Sequence, residues 1–417
     1  MRILFVPFGS EGDVNPLLWL AGHLAARGHD AVFLLTPHYG PLAVRRGFEW
    51  HPMGTEEDFQ RMAGDPALWK PVVGTWRVAA AMRESLGHYR RAFKAAGGRF
   101  DLVVTSSFGL AASSLAEAGG IPRLMLHLQP ACLRSHRDLP IPAAGAAWLR
   151  HAPAFVKKFV FGGVDFFLNR TLLPPLNRFR AKLRLAALGD FYRDALMGAE
   201  GVGLLFPSWF AAPQPEWPEG IRQFDFPVSR HAPAPLPSAL GEWLRAGEPP
   251  VLWTHGSANL HVDRFHALAV QTTALAGGRA LLVSRNPPAI PLPANLFHYP
   301  HVPFEDLMPF CRAIVHHAGI GTTAKAFAAG IPQVAIPLAH DQHDNAARIE
   351  RLGAGFDASG RARPAPLSRL LSRAGTDPEL AAAVRRCREL ASSSPASAEA
   401  LCRFAEAVAG GVGPGRA

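Results

Sequence analysis

At about 150 residues per domain, a chain of 417 residues has room for two or three domains with full cores, which excludes a small disulfide- or metal-stapled scaffold. Hydrophobic residues make up 48% and charged residues 18%, and the 39 Gly and 38 Pro follow no period, which excludes collagen-like and disordered classes. The formal charge of +10 favours an anionic partner such as a nucleotide, a nucleic acid or a membrane surface. Cys132, Cys311, Cys387 and Cys402 have no paired spacing, so neither a zinc site nor a disulfide framework is expected and a reducing compartment fits.

The chain opens on the strand-like run Arg2-Ile3-Leu4-Phe5-Val6-Pro7, too short for a signal sequence, and no uncharged apolar stretch of 18 residues follows. A cytoplasmic, non-spanning protein is expected. The loop Gly9-Ser10-Glu11-Gly12-Asp13-Val14-Asn15 then leads into an amphipathic helix at Leu17 to Arg27, for which Asn15-Pro16 reads as the N-cap and N1 pair. On that reading Asp13 is left for another role. A buried strand at Ala31 to Thr36 completes a βαβ unit, and the alternation continues through strands at 101–106 and 123–127. The stretch Phe155-Val156-Lys157-Lys158-Phe159-Val160-Phe161 to Phe166-Phe167-Leu168 mixes aromatics with cations. It fits either a helix with a buried apolar face or an interfacial helix.

Further strands read at 201–206, 250–254, 279–284, 313–317 and 333–338, and Pro207 to Pro237 is rich enough in proline to act as a stiff connection. The expected fold class is therefore α/β, with two Rossmann-like doubly wound domains facing a cleft. Residues 1–210 are the N-terminal domain, 211–237 a linker, 238–378 the C-terminal domain, and 379–417 a helical segment and tail. Ligands bind such sheets beyond the carboxyl ends of the strands, which directs attention to two loops, 8–15 and 316–324.

His316-His317-Ala318-Gly319-Ile320-Gly321-Thr322-Thr323 follows a strand and opens a helix, an arrangement in which backbone N–H groups and the helix dipole attract a phosphate. A tight glycine turn with a capping Thr is the plainer alternative. The strand at 331–338 ends in Ala339-His340-Asp341-Gln342-His343-Asp344-Asn345. There Asp341 and Gln342 suit a polyhydroxylated ligand, while Asp344 and Asn345 suit helix capping. The spacing of the four acidic and imidazole groups matches no zinc pattern, so no metal site is expected. Gly319-Ile320-Gly321-Thr322-Thr323-Ala324 also fits G-x-G-x-x-A with Asp341 about 20 residues on, which keeps a nicotinamide oxidoreductase as an alternative from another class. The dispersed Arg residues resemble no nucleic-acid module, and no nucleic-acid partner is expected.

His317 to Thr322, Gly330-Ile331-Pro332, Asp341-Gln342, Asn345-Ala346, the run Val302 to Cys311 and the Gly9-x-x-Gly12-Asp13 loop together resemble the GT-B inverting glycosyltransferases, the family of UDP-sugar and antibiotic glycosyltransferases. Within it, Gly64 to Trp69, Leu205 to Gln214 and Ala339 to Gln342 are most similar to the rhamnosyltransferases of rhamnolipid synthesis. The resemblance implies a metal-independent inverting transfer with no cofactor, from a dTDP-sugar or UDP-sugar donor to a hydrophobic hydroxylated acceptor. The best expectation is L-rhamnose onto a hydroxyalkanoyl fatty acid, with a peripheral membrane contact. A UDP-glucose-dependent enzyme acting on a polycyclic, sterol or phenolic product is the alternative.

The resemblance also implies roles. Asp13 is the base, and His317, Gly319, Gly321, Thr322, Gly12 and Ser257 serve the donor diphosphate. His301 and Val302 flank the base ring, Asp341 and Gln342 hold sugar hydroxyls, and Trp69, Phe159 and Phe166 meet the acceptor. Two departures stand out. Ala318 replaces a glycine common in relatives, at little cost if its φ is negative. Lys325 replaces the Glu that grips both ribose hydroxyls in plant-type members, which tilts the donor toward a deoxyribose nucleotide.

Overall fold

Runs such as Ile3-Leu4-Phe5-Val6 and Ala31-Val32-Phe33-Leu34-Leu35 are apolar at every position rather than at every second one, which is the pattern of strands covered on both faces. In a computed structural model of the chain, which describes all residues except 71–72, 144, 229–234, 257–261, 393–395 and 412–417, these runs build two parallel sheets. The first contains β1 (Arg2–Val6), β2 (Asp30–Leu35), β3 (Glu49–Pro52), β4 (Leu102–Ser106), β5 (Arg123–His127), β6 (Gly201–Leu205) and β7 (Arg222–Phe224) in the order β3-β2-β1-β4-β5-β6-β7. The second contains β8 (Val251–Thr254), β9 (Ala280–Val283), β10 (Leu296–Tyr299), β11 (Ala313–His316), β12 (Gln333–Ala335) and β13 (Gly355–Asp357) in the order β10-β9-β8-β11-β12-β13. All pairings are parallel, with Ile3 opposite both Ala31 and Leu102, and Val315 opposite both Trp253 and Val334. Crossover helices cover both faces of each sheet, the doubly wound arrangement expected.

The segment 211–237, expected to be a linker, is not only a connector. Its residues Arg222–Phe224 pair with β6 as an edge strand. Upstream, Trp209 and Phe210 form with Phe226 and with Phe327 of the second domain an edge-to-face aromatic cluster, ring centroids 5.2–6.0 Å apart for Phe210–Phe226, Trp209–Phe327 and Phe210–Phe327. The C-terminal helices part company. Pro378–Ser392 packs on the helix Ile320–Ala329 of the second domain, whereas Ala396–Ala409 crosses back to the first sheet. There it buries Leu401, Cys402, Phe404, Ala405 and Val408 in the N-terminal core. Glu406 on that helix meets the Arg27 guanidinium at 2.7 Å and His29 at 2.8 Å. No helix among the described residues is long and apolar enough to cross a membrane.

The two domains are tied together by one buried cation. Arg348 is 1% exposed. Its Nε donates to Asp344 at 2.7 Å and its Nη1 to Asp138 at 2.6 Å and to the Phe210 carbonyl at 3.3 Å. Asp344 in turn accepts from the Ile141 amide at 3.2 Å, and Arg351 meets the far oxygen of Asp138 at 2.8 Å. Removing one partner of such a network strands a buried charge, at a cost of about 3–5 kcal/mol. Arg348→Ala is therefore expected to lower the unfolding free energy measured by urea titration by that order, whereas Arg351→Ala, whose side chain is 43% exposed, is expected to cost about 1 kcal/mol or less. Equal losses for the two variants would remove Arg348 from its place as the interdomain tie.

Candidate active site

The carboxyl ends of the two sheets face one another across a cleft of about 940 Å³. At its N-terminal wall the chain leaves β1 through Gly9, whose φ of +134° and lack of a Cβ are both required, because a Cβ there would lie 2.2 Å from Asp13 Oδ2. The following helix begins at Glu11, with Ser10 as N-cap. The expected Asn15-Pro16 cap is not formed, and Pro16 sits inside the first turns of the helix. Asp13 is instead the N3 member of a capping box, its Oδ2 accepting from the Ser10 amide at 2.7 Å and the Ser10 hydroxyl at 3.2 Å. It still faces the cleft. Burial pushes its carboxyl up to about 7, with the charge of Asp341 adding to the rise and the Ser10 bonds opposing it.

At the opposite wall, β11 ends in His316 and the chain turns through His317, Ala318 and Gly319 into the helix Ile320–Ala329. The His317 imidazole is held between two glycines. A Cβ on Gly256 would come within 2.4 Å of its ring, and one on Gly319 within 2.4 Å of Nε2. Its Nδ1 is buried without a partner among the described residues, and burial pushes the imidazole down to about 4, so near neutral pH it is an uncharged donor. Gly321 opens onto free space, no atom lying within 4 Å of a Cβ placed there. With the first-turn amides of the helix, which have no intrahelical acceptor, these residues form a cradle for an anion. Gly319 rather than a threonine is the N-cap.

Ala318 adopts φ +63°, so the negative φ that would have made it a cheap replacement for glycine is not realised. Asn345 holds the turn, its Nδ2 donating to the Ala318 carbonyl at 2.9 Å and to Asp341 Oδ2 at 2.7 Å. Asn345 and Asp344 are thus bracing and ion-pairing groups rather than helix caps. Gln342 spends its Oε1 on the Leu338 and Ala339 amides, at 2.8 and 3.2 Å. Burial pushes Asp341 up to about 6. His340, also at positive φ, sets its ring edge-to-face on Trp69 at 5.8 Å across the cleft. Among the described residues no group of three or more His, Cys, Asp and Glu is arranged to hold a metal ion.

Gly12, Asp13, Trp69, His301, Val302, His317, Gly319, Gly321, Thr322, Asp341 and Gln342 all line this cleft. Ser257 lies outside the described residues. Phe159 and Phe166 do not line it. They are 83% and 72% exposed, because the helix Ala154–Thr171 turns its other side, Val160, Phe161, Val164 and Leu168, to the cleft. That stretch is apolar on two sides, so periodicity could not tell which faces inward. Sequence reading also missed three contacts with no local signature. Arg285 reaches Glu11 across the cleft mouth at 3.0 Å. Glu305 lines the cleft and ion-pairs Lys325 at 2.9 Å. Tyr39, buried beside Glu11 and Asp13, has its hydroxyl pushed up by burial.

Two facing parallel sheets, with an anion cradle at a helix N-terminus on one wall and a buried carboxyl on the other, define a GT-B glycosyltransferase architecture. Residues 282–406 match the family model described as the C-terminal domain of erythromycin biosynthesis protein CIII-like proteins. The whole chain is 31% identical to O-mycaminosyltylonolide 6-deoxyallosyltransferase of Streptomyces fradiae, over 98% of this chain and 94% of that protein. Among solved structures, CalG4, the calicheamicin glycosyltransferase, is similar with a TM-score of 0.70 and 22% identity, covering 98% of both chains. The glycosyltransferase VinC in complex with dTDP is similar with a TM-score of 0.67 and 21% identity, over 98% of this chain and all of that one. The chain belongs to the erythromycin CIII-like family of GT-B antibiotic glycosyltransferases, and it is a glycosyltransferase rather than a nicotinamide oxidoreductase.

The left-handed conformation of Ala318 costs about 1–2 kcal/mol, which glycine avoids at an entropic cost of about 0.5–1 kcal/mol. Ala318→Gly is expected to leave the thermal midpoint unchanged or raise it, and Ala318→Val to lower it. A lower midpoint for the glycine variant would show that the turn is not strained.

Proposed function

We propose that this enzyme transfers a 6-deoxyhexose from a dTDP-sugar to a hydroxyl of a large apolar acceptor, with inversion and without a metal. The observation that carries the reading is the opposition, across one cleft, of a carboxyl raised to about 7 and a cradle of helix amides with the unpartnered His317 nitrogen. Asp13 accepts the proton of the acceptor hydroxyl, and the freed oxygen attacks the anomeric carbon. The bond from that carbon to the diphosphate oxygen breaks on the opposite face, giving inversion, as in the inverting glycosidases. The departing diphosphate takes its stabilisation from the 320–322 amides and the His317 N–H, while Asp341 and the amide nitrogen of Gln342 hold sugar hydroxyls. His301 and Val302 flank the base.

Two features support dTDP over UDP. A dTDP complex is named for a structural neighbour, and Lys325 engages Glu305, so the carboxylate on that wall is already paired. The acceptor wall of Trp69, Met82, Phe108, Phe161, Leu168 and Leu196 supports an apolar acceptor. A 6-deoxyallosyl transferase among the relatives supports a 6-deoxy sugar and a polyketide-like acceptor. Rhamnose onto a hydroxyalkanoyl chain is the narrower form of the same reading and rests on the sequence resemblance alone.

A matrix of dTDP- and UDP-sugars against macrolide aglycones, hydroxy-fatty acids and phenols, run in EDTA and scored by product mass, tests the proposal. Product from a dTDP-6-deoxyhexose is expected. Preference for UDP-glucose, or loss of turnover in EDTA with recovery on adding Mg²⁺, would sink it.

Because a base must be deprotonated, kcat/KM is expected to rise with pH through about 7 and to level off above. Asp13→Asn keeps an oxygen for the Ser10 amide and so keeps the fold. It is expected to lower kcat by about a hundredfold or more while binding dTDP as wild type does in titration calorimetry. A variant that kept wild-type kcat and pH profile would leave Asp13 as a helix cap only.

A further inference from the structure

The side of the helix Ala154–Thr171 turned away from the cleft has no partner among the described residues. Phe155, Phe159 and Phe166 are 73%, 83% and 72% exposed. At 100° per residue they fall within an arc of about 40°, so they form one stripe, and Trp148 on the preceding turn is 61% exposed. Lone exposed aromatics are ordinary, but an aligned set on one helix marks a contact surface. Its charge shows what kind. Residues 139–189 hold eight Lys and Arg against a single Asp, a net +7 within a chain of net +10. That Asp165 is already bound by Arg134 at 2.5 Å. Of the eight cations, Lys157 and Arg180 are buried, while Lys158, Arg170, Arg178, Lys182 and Arg184 stand exposed.

We propose that this face docks on the surface of an anionic lipid bilayer, the Phe side chains entering the headgroup boundary and the surrounding cations meeting lipid phosphates. Aromatics flanked by Lys and Arg are what that boundary binds, and here Lys158 and Arg170 lie on the same helix within about 80° of the centre of the stripe, with the further cations on the chain that follows. A second copy of the chain is a poor occupant, because a two-fold contact sets the same patch against itself and brings like charges together. The opposite side of the helix lines the acceptor half of the cleft, so docking sets the cleft one helix diameter, about 10 Å, from the lipid. The proposal does not depend on the identity of the donor or the acceptor.

The test is co-sedimentation of the full chain with vesicles of phosphatidylcholine alone and of phosphatidylcholine with phosphatidylglycerol, with tryptophan emission read in parallel. Binding only to the anionic vesicles is expected, weakening as salt is added, with a blue shift in emission. Phe155→Ser/Phe159→Ser/Phe166→Ser is expected to reduce partition about tenfold or more, and Lys158→Glu/Arg170→Glu to reduce it at low salt. The thermal midpoint of each variant reports its fold, and the charge pair serves alone if the triple variant is unstable. No binding to anionic vesicles at low salt overturns the proposal, as does equal partition of the folded variants and wild type. A concentration-dependent dimer that the Phe substitutions dissolve, or an acidic protein that binds this face while vesicles do not, also overturns it.

Discussion

Everything the cleft does depends on two separately folded sheets being held at one separation and angle, and the Arg348 guanidinium is the group that couples them. A fully desolvated cation is tolerable only because Asp344 of its own helix and Asp138 of the other domain both bind it. The same helix carries Asp341 at its start and Asn345 one turn on, so the ion network, the brace on the Ala318 turn and the cleft-lining Asp341 carboxyl share one rigid element. The Phe210 carbonyl on Arg348 and the Phe210 ring against Phe327 join the end of the N-terminal domain to the second domain. By contrast, Arg285–Glu11 and Trp69–His340 span the cleft mouth with exposed or partly exposed groups. The contacts far from the opening fix the geometry, and those near it are weak enough to part.

Asp13 shows how local folding rules and chemistry share a residue. A helix N3 carboxylate is normally stabilising in its charged form, through the cap and the dipole. Here burial outweighs both, and the folded state holds the proton more tightly than the unfolded chain. The sign follows: between the unfolded value near 4 and about 7, rising pH removes a proton that the folded state prefers to keep, so this group costs stability over the range in which it becomes reactive. The strained Ala318 on the facing wall is a second such cost, met by Asn345. Both sit where ligand contact would repay them.

The frame was legible from sequence wherever burial is two-sided. β1, β2, β4, β5 and most of the second sheet announce themselves as unbroken apolar runs. The strands not foreseen are edge or near-edge pieces of three or four residues, such as Glu49–Pro52, Arg222–Phe224 and Gly355–Asp357, too short and too polar to show a pattern. The loop at 316–324 could be read because glycines, histidine and a helix start fall together in sequence. The facing wall of the cleft could not, since the helix Ala154–Thr171 is apolar on two sides and nothing local says which turns inward. Pairings such as Arg285 with Glu11, or Arg348 with Asp138, join residues more than 200 positions apart and leave no local trace. The cap formed with Asp13 escapes a sequence reading because Pro16, the sixth residue of the helix, lacks the N–H that would bond the Gly12 carbonyl and so argues for a later helix start.

The helix Ala396–Ala409 lies on the sheet that begins at Arg2, although the second domain separates the two in sequence. During synthesis the N-terminal sheet therefore emerges first and waits. The groove that Leu401, Phe404 and Val408 fill stays open until the helix Ala396–Ala409, made after the second domain, has left the ribosome, at about 5–20 residues per second. Of the two domains, the one translated first is thus the last to be sealed, and in that interval the apolar side chains that this helix covers are exposed to water rather than parts of a finished core.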